Sequence, residues 1–374
     1  MIGTIITFIV VLSVIVFAHE FGHFFLARRA GVKVEEFGFG FPPRLWGVRR
    51  GDTIYSINAI PIGGFVRLKG EAGENEQDAD SFSRQGATKR SLIIVAGVVM
   101  NLVLAWFLFS VGYTFGLPQI IDDEAALPGY ARVVEEKLHI VDVLEGTPAA
   151  EADIQIGDVI IMADESAVTT IEAFAGLTGD GGDRPIGLKL DRDGEVLDKT
   201  LTPTMLEVTG KPGIGVSLMK TGVVSYPIYA AFLQGLWTTI SFTGQIVVAF
   251  AVIIRDLVMG GGAPAEISGP VGIAVVTGEV ARHGWRHLLQ FTALLSINLG
   301  VINILPLPAL DGGRLLFLII ERLRGRAINQ RLEATIHNVG FALLLMLVLV
   351  VTYGDVVRFG DRILQAFYNV FTGL

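Results

Sequence analysis

The sequence contains no cysteine in 374 residues. That excludes disulfide staples, thiolate metal ligands and a catalytic thiol, and it leaves the redox compartment unmarked. Charge is scarce as well. Asp, Glu, Lys and Arg make up 18% of the chain and hydrophobic residues 51%, a balance too apolar for an ordinary soluble globule. No Lys or Arg precedes the first apolar run and no small-residue cleavage site follows it, so a cleavable signal peptide is not expected. What remains is a membrane protein carrying a polar module.

Four apolar runs, residues 2–26, 91–117, 287–306 and 334–352, are long enough to cross about 30 Å of hydrocarbon. A fifth, 226–257, is interspersed with Gln234, Thr238, Thr239, Ser241, Thr243 and Gln245. Basic residues gather in 30–90 and 321–331, whereas 118–225 is acidic. The positive-inside rule puts the first two segments in the cytoplasm and the third outside. If 226–257 crossed, the basic loop would fall outside, so that segment is read as interfacial.

The fold expected is a multi-span α-helical membrane protein with four transmembrane helices, a membrane-associated β-hairpin and one α+β extracytoplasmic domain. The divisions are 1–29, the first transmembrane helix; 30–90, a cytoplasmic-side hairpin and loop; 91–117, the second transmembrane helix; and 118–225, the external domain. They continue with 226–284, an interfacial helical segment and loop; 285–325, a broken third transmembrane helix; and 326–374, the fourth with a C-terminal tail. Alternating runs around Gly38–Arg44 and 52–68, breaking at Gly63 and Gly64, predict the hairpin. In the external domain, runs at 138–144, 158–162, 187–192 and 196–201 read as strands and 171–176 as a short helix.

The chemistry sits in the first span. His19-Glu20-Phe21-Gly22-His23 is an H-E-x-x-H pattern, which on a helix sets two imidazoles one turn apart, able to hold Zn²⁺ while the Glu activates water. Chance alone would produce the pattern in roughly one per cent of chains this long. Within a span each ionisable residue costs about 2.5–3.5 kcal/mol on insertion scales, so an idle copy is selected against. Metal-dependent hydrolysis is the first hypothesis.

A catalytic zinc needs a third protein ligand. The apolar run 287–320 exceeds one span and is interrupted by Asn303-Ile-Leu-Pro306-Leu-Pro308-Ala-Leu-Asp311-Gly312-Gly313, which cannot continue a regular helix. Asp311 is the expected third ligand; the alternative is an N-cap for the helix that follows. Asn303 is expected to donate to a scissile carbonyl or its oxyanion, or else to satisfy backbone. In the second span Gly97 and Asn101 read as helix packing, with a direct role at the site as the alternative. His139, His283, His287 and His337 read as ordinary surface or interfacial residues.

These residues together resemble the site-2 protease family, in its bacterial RseP-like branch of intramembrane zinc metalloproteases. The resemblance rests on the 19–23 motif, on Gly97 with Asn101, and on the 303–313 run. Gly63-Gly-Phe65-Val66 and Ser268-Gly-Pro-Val-Gly-Ile273 add to it, so it covers nearly the whole chain. It implies that His19, His23 and Asp311 bind Zn²⁺, that Glu20 is the general base, and that Asn303 assists the substrate. Gly63, Gly64 and Phe65 would belong to a β element that pairs with an unwound substrate strand.

The external segment from Leu144 through Thr147-Pro-Ala to Gly157-Asp158 looks like a PDZ domain of the protease-associated type. Asp153 stands where that motif usually has Gly, and one such unit is found where the RseP type has two. The implied activity is intramembrane cleavage of single-span membrane proteins, such as anti-sigma factors or signal-peptide remnants, in a bacterial cytoplasmic membrane. The lipid bilayer and a peptide ligand for the PDZ-like domain are the further partners implied, and no nucleic acid is expected. A PDZ-bearing membrane scaffold and a zinc transporter are the competing classes.

Overall fold

The structure is a computed structural model that describes residues 2–71, 78–121, 127–180, 184–192, 194–260, 269–326, 328 and 330–372. The chain separates into two units, residues 1–111 with 232–374, and residues 112–231.

The first unit begins with α1 (Ile2–Arg29), whose 28 residues span about 42 Å at 1.5 Å per residue. Arg28 and Arg29 fill its last turn, where cations suit the helix dipole. The predicted hairpin is two long bent strands, β1 (Val34–Arg50) and β2 (Thr53–Leu68), and it is more elaborate than a simple ribbon. Residues 34–39 pair on one side with 64–68 and on the other with 54–57, while 44–50 pairs with 53–58. Gly40 and Gly63 provide bends with φ of 77° and 78°, a left-handed conformation that glycine adopts freely. The result is a layer of four runs with 64–68 at its rim. α2 (Ala87–Phe115) follows. Phe24, Ala27, Val34, Phe37, Leu68, Ile93 and Ile94 pack into one apolar cluster joining α1, the bent strands and α2.

The second unit is built on a seven-stranded antiparallel sheet. In chain order its elements are β3 (Leu117–Ile120), β4 (Arg132–Val143), α3 (Pro148–Glu151), β5 (Val159–Ala163), β6 (Ser166–Ala167), α4 (Ile171–Asp180), β7 (Ile186–Arg192) and β8 (Glu195–Leu201). A small hairpin, β9 (Thr204–Leu206) with β10 (Lys211–Gly213), precedes β11 (Val216–Ser225). Strand order is β3-β11-β4-β5-β7-β8, with β6 beside β5. The four predicted strands and the predicted helix all have counterparts. β3, β9, β10 and β11 were not foreseen, because β11 lies between β3 and β4, strands distant from it in sequence, and long-range pairing leaves little local trace. Leu138, Ile140, Ile160, Leu188 and Leu190 form the core, each at most 3% exposed.

Asp153, the non-glycine residue of the α3–β5 turn, has φ 54°, a left-handed geometry that Asp tolerates better than most side chains. Arg192 Nη2–H donates to its carbonyl at 2.8 Å and Gln155 Nε2–H to its carboxylate at 3.0 Å.

Back in the first unit, α5 (Ile228–Val258) is one unbroken 31-residue helix. It touches α2 through a Trp106 Nε1–H bond to the Phe232 carbonyl at 2.9 Å and the Phe109–Phe242 ring pair. α6 (Pro270–Arg282) occupies part of what sequence suggested was an interfacial segment and loop; instead it buries Gly272, Thr277 and Gly278. Gly278 faces Thr4 of α1. α7 (Trp285–Ile304), α8 (Asp311–Arg324) and α9 (Gln330–Thr372) complete the chain. Buried Asp355 of α9 accepts the N–H groups of Gly269 and Gly272 at 3.1 and 2.7 Å, capping the start of α6. Among the described residues five helices are long and apolar enough to cross a bilayer: Gly3–Arg29, Ala87–Phe115, Ile228–Asp256, Trp285–Ile304 and Arg331–Gly360. The 226–257 segment therefore matches the other four in length and composition.

In the second unit the Asp158 side chain has no exposed surface and receives Arg192 Nε–H at 2.6 Å and Nη2–H at 2.7 Å, plus the Gln155 N–H at 3.0 Å. Burial opposes its ionisation, but the Arg192 and Gln155 hydrogen bonds outweigh it and hold its carboxyl below the ordinary value. This stabilisation is complete above the ordinary carboxylate value of about 3.9 and is lost as pH falls through the lower, folded-state value. Asp158→Ala should cost the unit about 1.5–3 kcal/mol, the range for lost hydrogen bonds to a charged group, read as a shift of the urea midpoint of its β-sheet circular dichroism. The decline in melting temperature below pH 4 should flatten in Asp158→Asn.

Candidate active site

His19 and His23 sit on one face of α1, 6% and 9% exposed, with ring centroids 4.8 Å apart and planes at 82°. That face lies against α2 because Gly22 has no side chain: a Cβ there would be 2.6 Å from the Ala96 carbonyl carbon. The contact brings Gly97 under both imidazoles, where a Cβ would overlap His23 Nε2 and come within 2.7 Å of His19 Cε1.

Each ring is oriented through its Nδ1. His23 Nδ1–H donates to the Ile93 carbonyl at 2.9 Å. His19 Nδ1 lies 3.3 Å from the side-chain amide nitrogen of Asn101, a fully buried residue whose backbone carbonyl accepts Ser296 Oγ–H of α7 at 2.9 Å. With its proton held at Nδ1, His23 turns its Nε2 lone pair inward, the arrangement by which outer partners prepare histidines for a metal, and Asn101 fixes the His19 ring from the edge opposite its Nε2. The Asn101 role at a ligand ring was the minor alternative in the sequence. The Ile93 carbonyl had no signal at all, since a backbone acceptor is independent of residue type.

Asp311 reaches the same point from the other end of the chain. α7 stops at Ile304, Leu305 turns extended at φ −62° and ψ 141°, and α8 restarts at Asp311. Pro306 and Pro308 lie in the link. Gly312 and Gly313 let α8 begin against the end of α7: side chains there would strike the carbonyls of Ile304, Leu305 and Leu307. Leu310 stands at the N-cap of α8 and Asp311 is its first helical residue, which removes the N-cap alternative. Its Oδ2 is instead 3.0 Å from His19 Nε2 and 3.2 Å from His23 Nε2, and the two Nε2 atoms are 3.1 Å apart.

This triangle is the fit test for a metal. Two Nε2 atoms and a carboxylate oxygen, each within 3.2 Å of the other two, offer three ligand atoms to one point, and a cation at their centre satisfies all three. The donor spacing approaches the edge of roughly 3.3 Å expected for a tetrahedron with bonds of about 2.0–2.1 Å. Among the described residues His19, His23 and Asp311 are the group able to hold a metal ion. The Asn303 side-chain nitrogen is 3.4 Å from His19 Nε2 and so also borders the site.

Glu20, one residue round the helix, faces the strands. Its Oε2 accepts the Val66 N–H at 3.1 Å, a group pointing outward from the rim run 64–68. Gly64 lies close beside it, a Cβ there being 4.0 Å from Glu20 Cγ, and Gly63 fits against Val16. Phe65 covers Gly38. His19, Glu20, His23, Asn101, Asn303, Asp311 and the 63–66 backbone are thus brought together. His139 belongs to the second unit. His337, read as an ordinary interfacial residue, is bonded instead to the link before Asp311, accepting the Ala309 N–H at 3.0 Å.

Two imidazoles and a carboxylate around one point, with a further carboxylate on the next helical position, are the donor set of a metal-dependent hydrolase. The model of Peptidase family M50 matches residues 7–347, and the chain belongs to that family, the site-2 proteases. It is 30% identical to the zinc metalloprotease RasP of Oceanobacillus iheyensis, the match covering 95% of this chain and 99% of that one. A putative zinc metalloprotease of Clostridium perfringens is 34% identical, with 92% and 96% covered, and the regulator of sigma-W protease RasP of Bacillus subtilis 29% identical, with 96% and 99% covered. A PDZ domain of an SdrC-like protein from Listeria monocytogenes aligns with 23% of this chain and 92% of its own at 20% identity and a TM-score of 0.22. The chain is a membrane-embedded, zinc-dependent metalloendopeptidase.

Gly97→Ala should displace at least one imidazole. Zinc content of the purified protein should fall below that of the parent while helical circular dichroism is unchanged.

Proposed function

We propose that the chain cleaves transmembrane segments of single-span membrane proteins, such as anti-sigma factors or signal-peptide remnants, in regulated intramembrane proteolysis. His19, His23 and Asp311 hold the zinc, Glu20 is the general base, and Asn303 donates to the substrate. The observation that carries this reading is the meeting of Asp311 Oδ2 with both Nε2 atoms at 3.0 and 3.2 Å, with Glu20 on the same turn. The printed name of the Bacillus relative, a regulator of sigma-W protease, supports the regulatory class.

Zinc, when bound, polarises a carbonyl and acidifies a water at this point. Glu20 takes the proton from the attacking water and returns it to the leaving amine. Asn303, beside His19 Nε2, presents N–H to the oxygen on which charge develops. A peptide bond inside a helix is shielded by its own backbone bonds, so the segment must be extended before it reaches Glu20. The rim run 64–68, with Gly63, Gly64 and Phe65 at its start and the Val66 N–H turned outward, is suited to take such a strand as an addition to the sheet. The incoming strand would compete with Glu20 for the Val66 N–H, freeing the carboxylate as the substrate docks.

The arrangement in the membrane follows the charge distribution: α1, α2, α7 with α8, and α9 cross a bacterial cytoplasmic membrane, α5 lies at the interface, and the 112–231 unit is extracytoplasmic. That unit serves as a PDZ-like module that binds peptide or screens substrates.

Glu20→Gln in purified protein should retain zinc and lower cleavage of a single-span reporter by about 10²–10⁴-fold. Undiminished cleavage would refute the assignment, and a scaffold or transporter would be indifferent to the change. Asn303→Ala should retain zinc and lower kcat by about 10²–10³-fold, measured on the same reporter under saturating conditions.

A further inference from the structure

The link between α7 and α8 carries the only acid of the donor triangle, yet its own conformation is not one that its residues prefer. Ala309, two positions before Asp311, has φ 75°, a left-handed geometry costly for a residue with a Cβ and one that persists only where its surroundings impose it. Turns internal to the link, Leu307 N–H to the Leu305 carbonyl at 2.7 Å and Leu310 N–H to the Leu307 carbonyl at 3.2 Å, leave the Ala309 N–H to be met from elsewhere. His337 Nδ1, on α9, meets it at 3.0 Å.

Other features support the contact. Gly340, one turn further along α9, allows Pro308 to lie directly on the helix: a Cβ there would overlap the proline ring. Phe317 of α8 packs its ring 5.5 Å from the imidazole of His337. The most apolar stretch of α9 buries nothing, and beside His337 lies a polar cavity of about 290 Å³ bordered by Glu71, Arg90, Arg314 and Glu333. Alongside this packing, the bond from the Ala309 N–H to His337 Nδ1 is the directional contact that α9 makes with the link. Because Nδ1 accepts, the proton of the neutral ring is on Nε2, which is buried without a partner among the described residues.

We propose that His337 is a positioning residue for Asp311: by accepting the Ala309 N–H it holds the 308–311 link in the shape that turns the carboxylate onto the two imidazoles. The inference rests on Asp311 being a zinc ligand. It makes α9, which contributes no ligand, a determinant of metal affinity, in the manner of outer partners that orient ligands.

The test uses the full chain in detergent and reads zinc affinity by competition with a chromophoric chelator, independently of proteolysis. His337→Phe keeps a ring against Phe317 but has no acceptor. His337→Gln moves its acceptor beyond the Nδ1 position, and His337→Asn puts Oδ1 where Nδ1 was. Phe and Gln should weaken zinc binding by about 10–100-fold, and Asn should return it to within about threefold of the parent, with melting temperatures of the zinc-free forms alike. Parent-like affinity in the Phe and Gln variants, or failure of Asn to restore it, overturns the proposal. Asp311→Ala separates the layers: if it binds zinc like the parent, the ligand assignment fails and this inference with it. If it releases zinc while His337→Phe does not, the inference alone fails.

Discussion

Two imidazole nitrogens and a carboxylate oxygen drawn to one point inside an apolar bundle are the constraint on which the first unit depends. They lie 3.0–3.2 Å from one another, largely removed from water, a placement that apolar surroundings make costly. A divalent cation held there would remove that cost and clasp α1 to the start of α8.

Much of the neighbouring sequence reads as a response to this requirement. Bringing helices close enough for short side chains to share an ion demands backbone approach, and glycine is used at each approach: Gly22 against Ala96, Gly97 beneath the imidazoles, Gly312 and Gly313 against the end of α7, Gly340 against Pro308. Backbone carbonyls and N–H groups then do work that side chains do elsewhere. Ile93 orients His23, and the Val66 N–H occupies Glu20. In a medium without competing water such bonds are dependable. A buried Asp355 at the start of α6 applies the same logic further along α9, where two backbone donors stabilise a carboxylate that lipid alone would not.

The candidate ligands were legible because ionisable residues are expensive in a span, so H-E-x-x-H and the aspartate after a proline-broken run stand out against apolar surroundings. The strands of the second unit that alternate cleanly were legible for a similar reason. α6 was not: Pro270 and several glycines resemble a loop, and only contact with α1 and α9 makes the segment a buried helix. β11 was missed because its partners, β3 and β4, lie far from it in sequence. The bond from the Ala309 N–H to His337 was not foreseen, since nothing local marks a contact with an amide 28 positions away.

By itself the sequence determined the composition class, the long apolar helices and a candidate donor set with its acid, because periodicity, hydropathy and the cost of burying charge are properties of residue types in order. Only the tertiary structure decided which nitrogen of each imidazole faces inward, how the strands fold back to put an outward N–H beside Glu20, and which helix holds the link before Asp311. Those outcomes depend on backbone groups that every residue shares, and on distances between segments hundreds of positions apart, neither of which a linear pattern encodes.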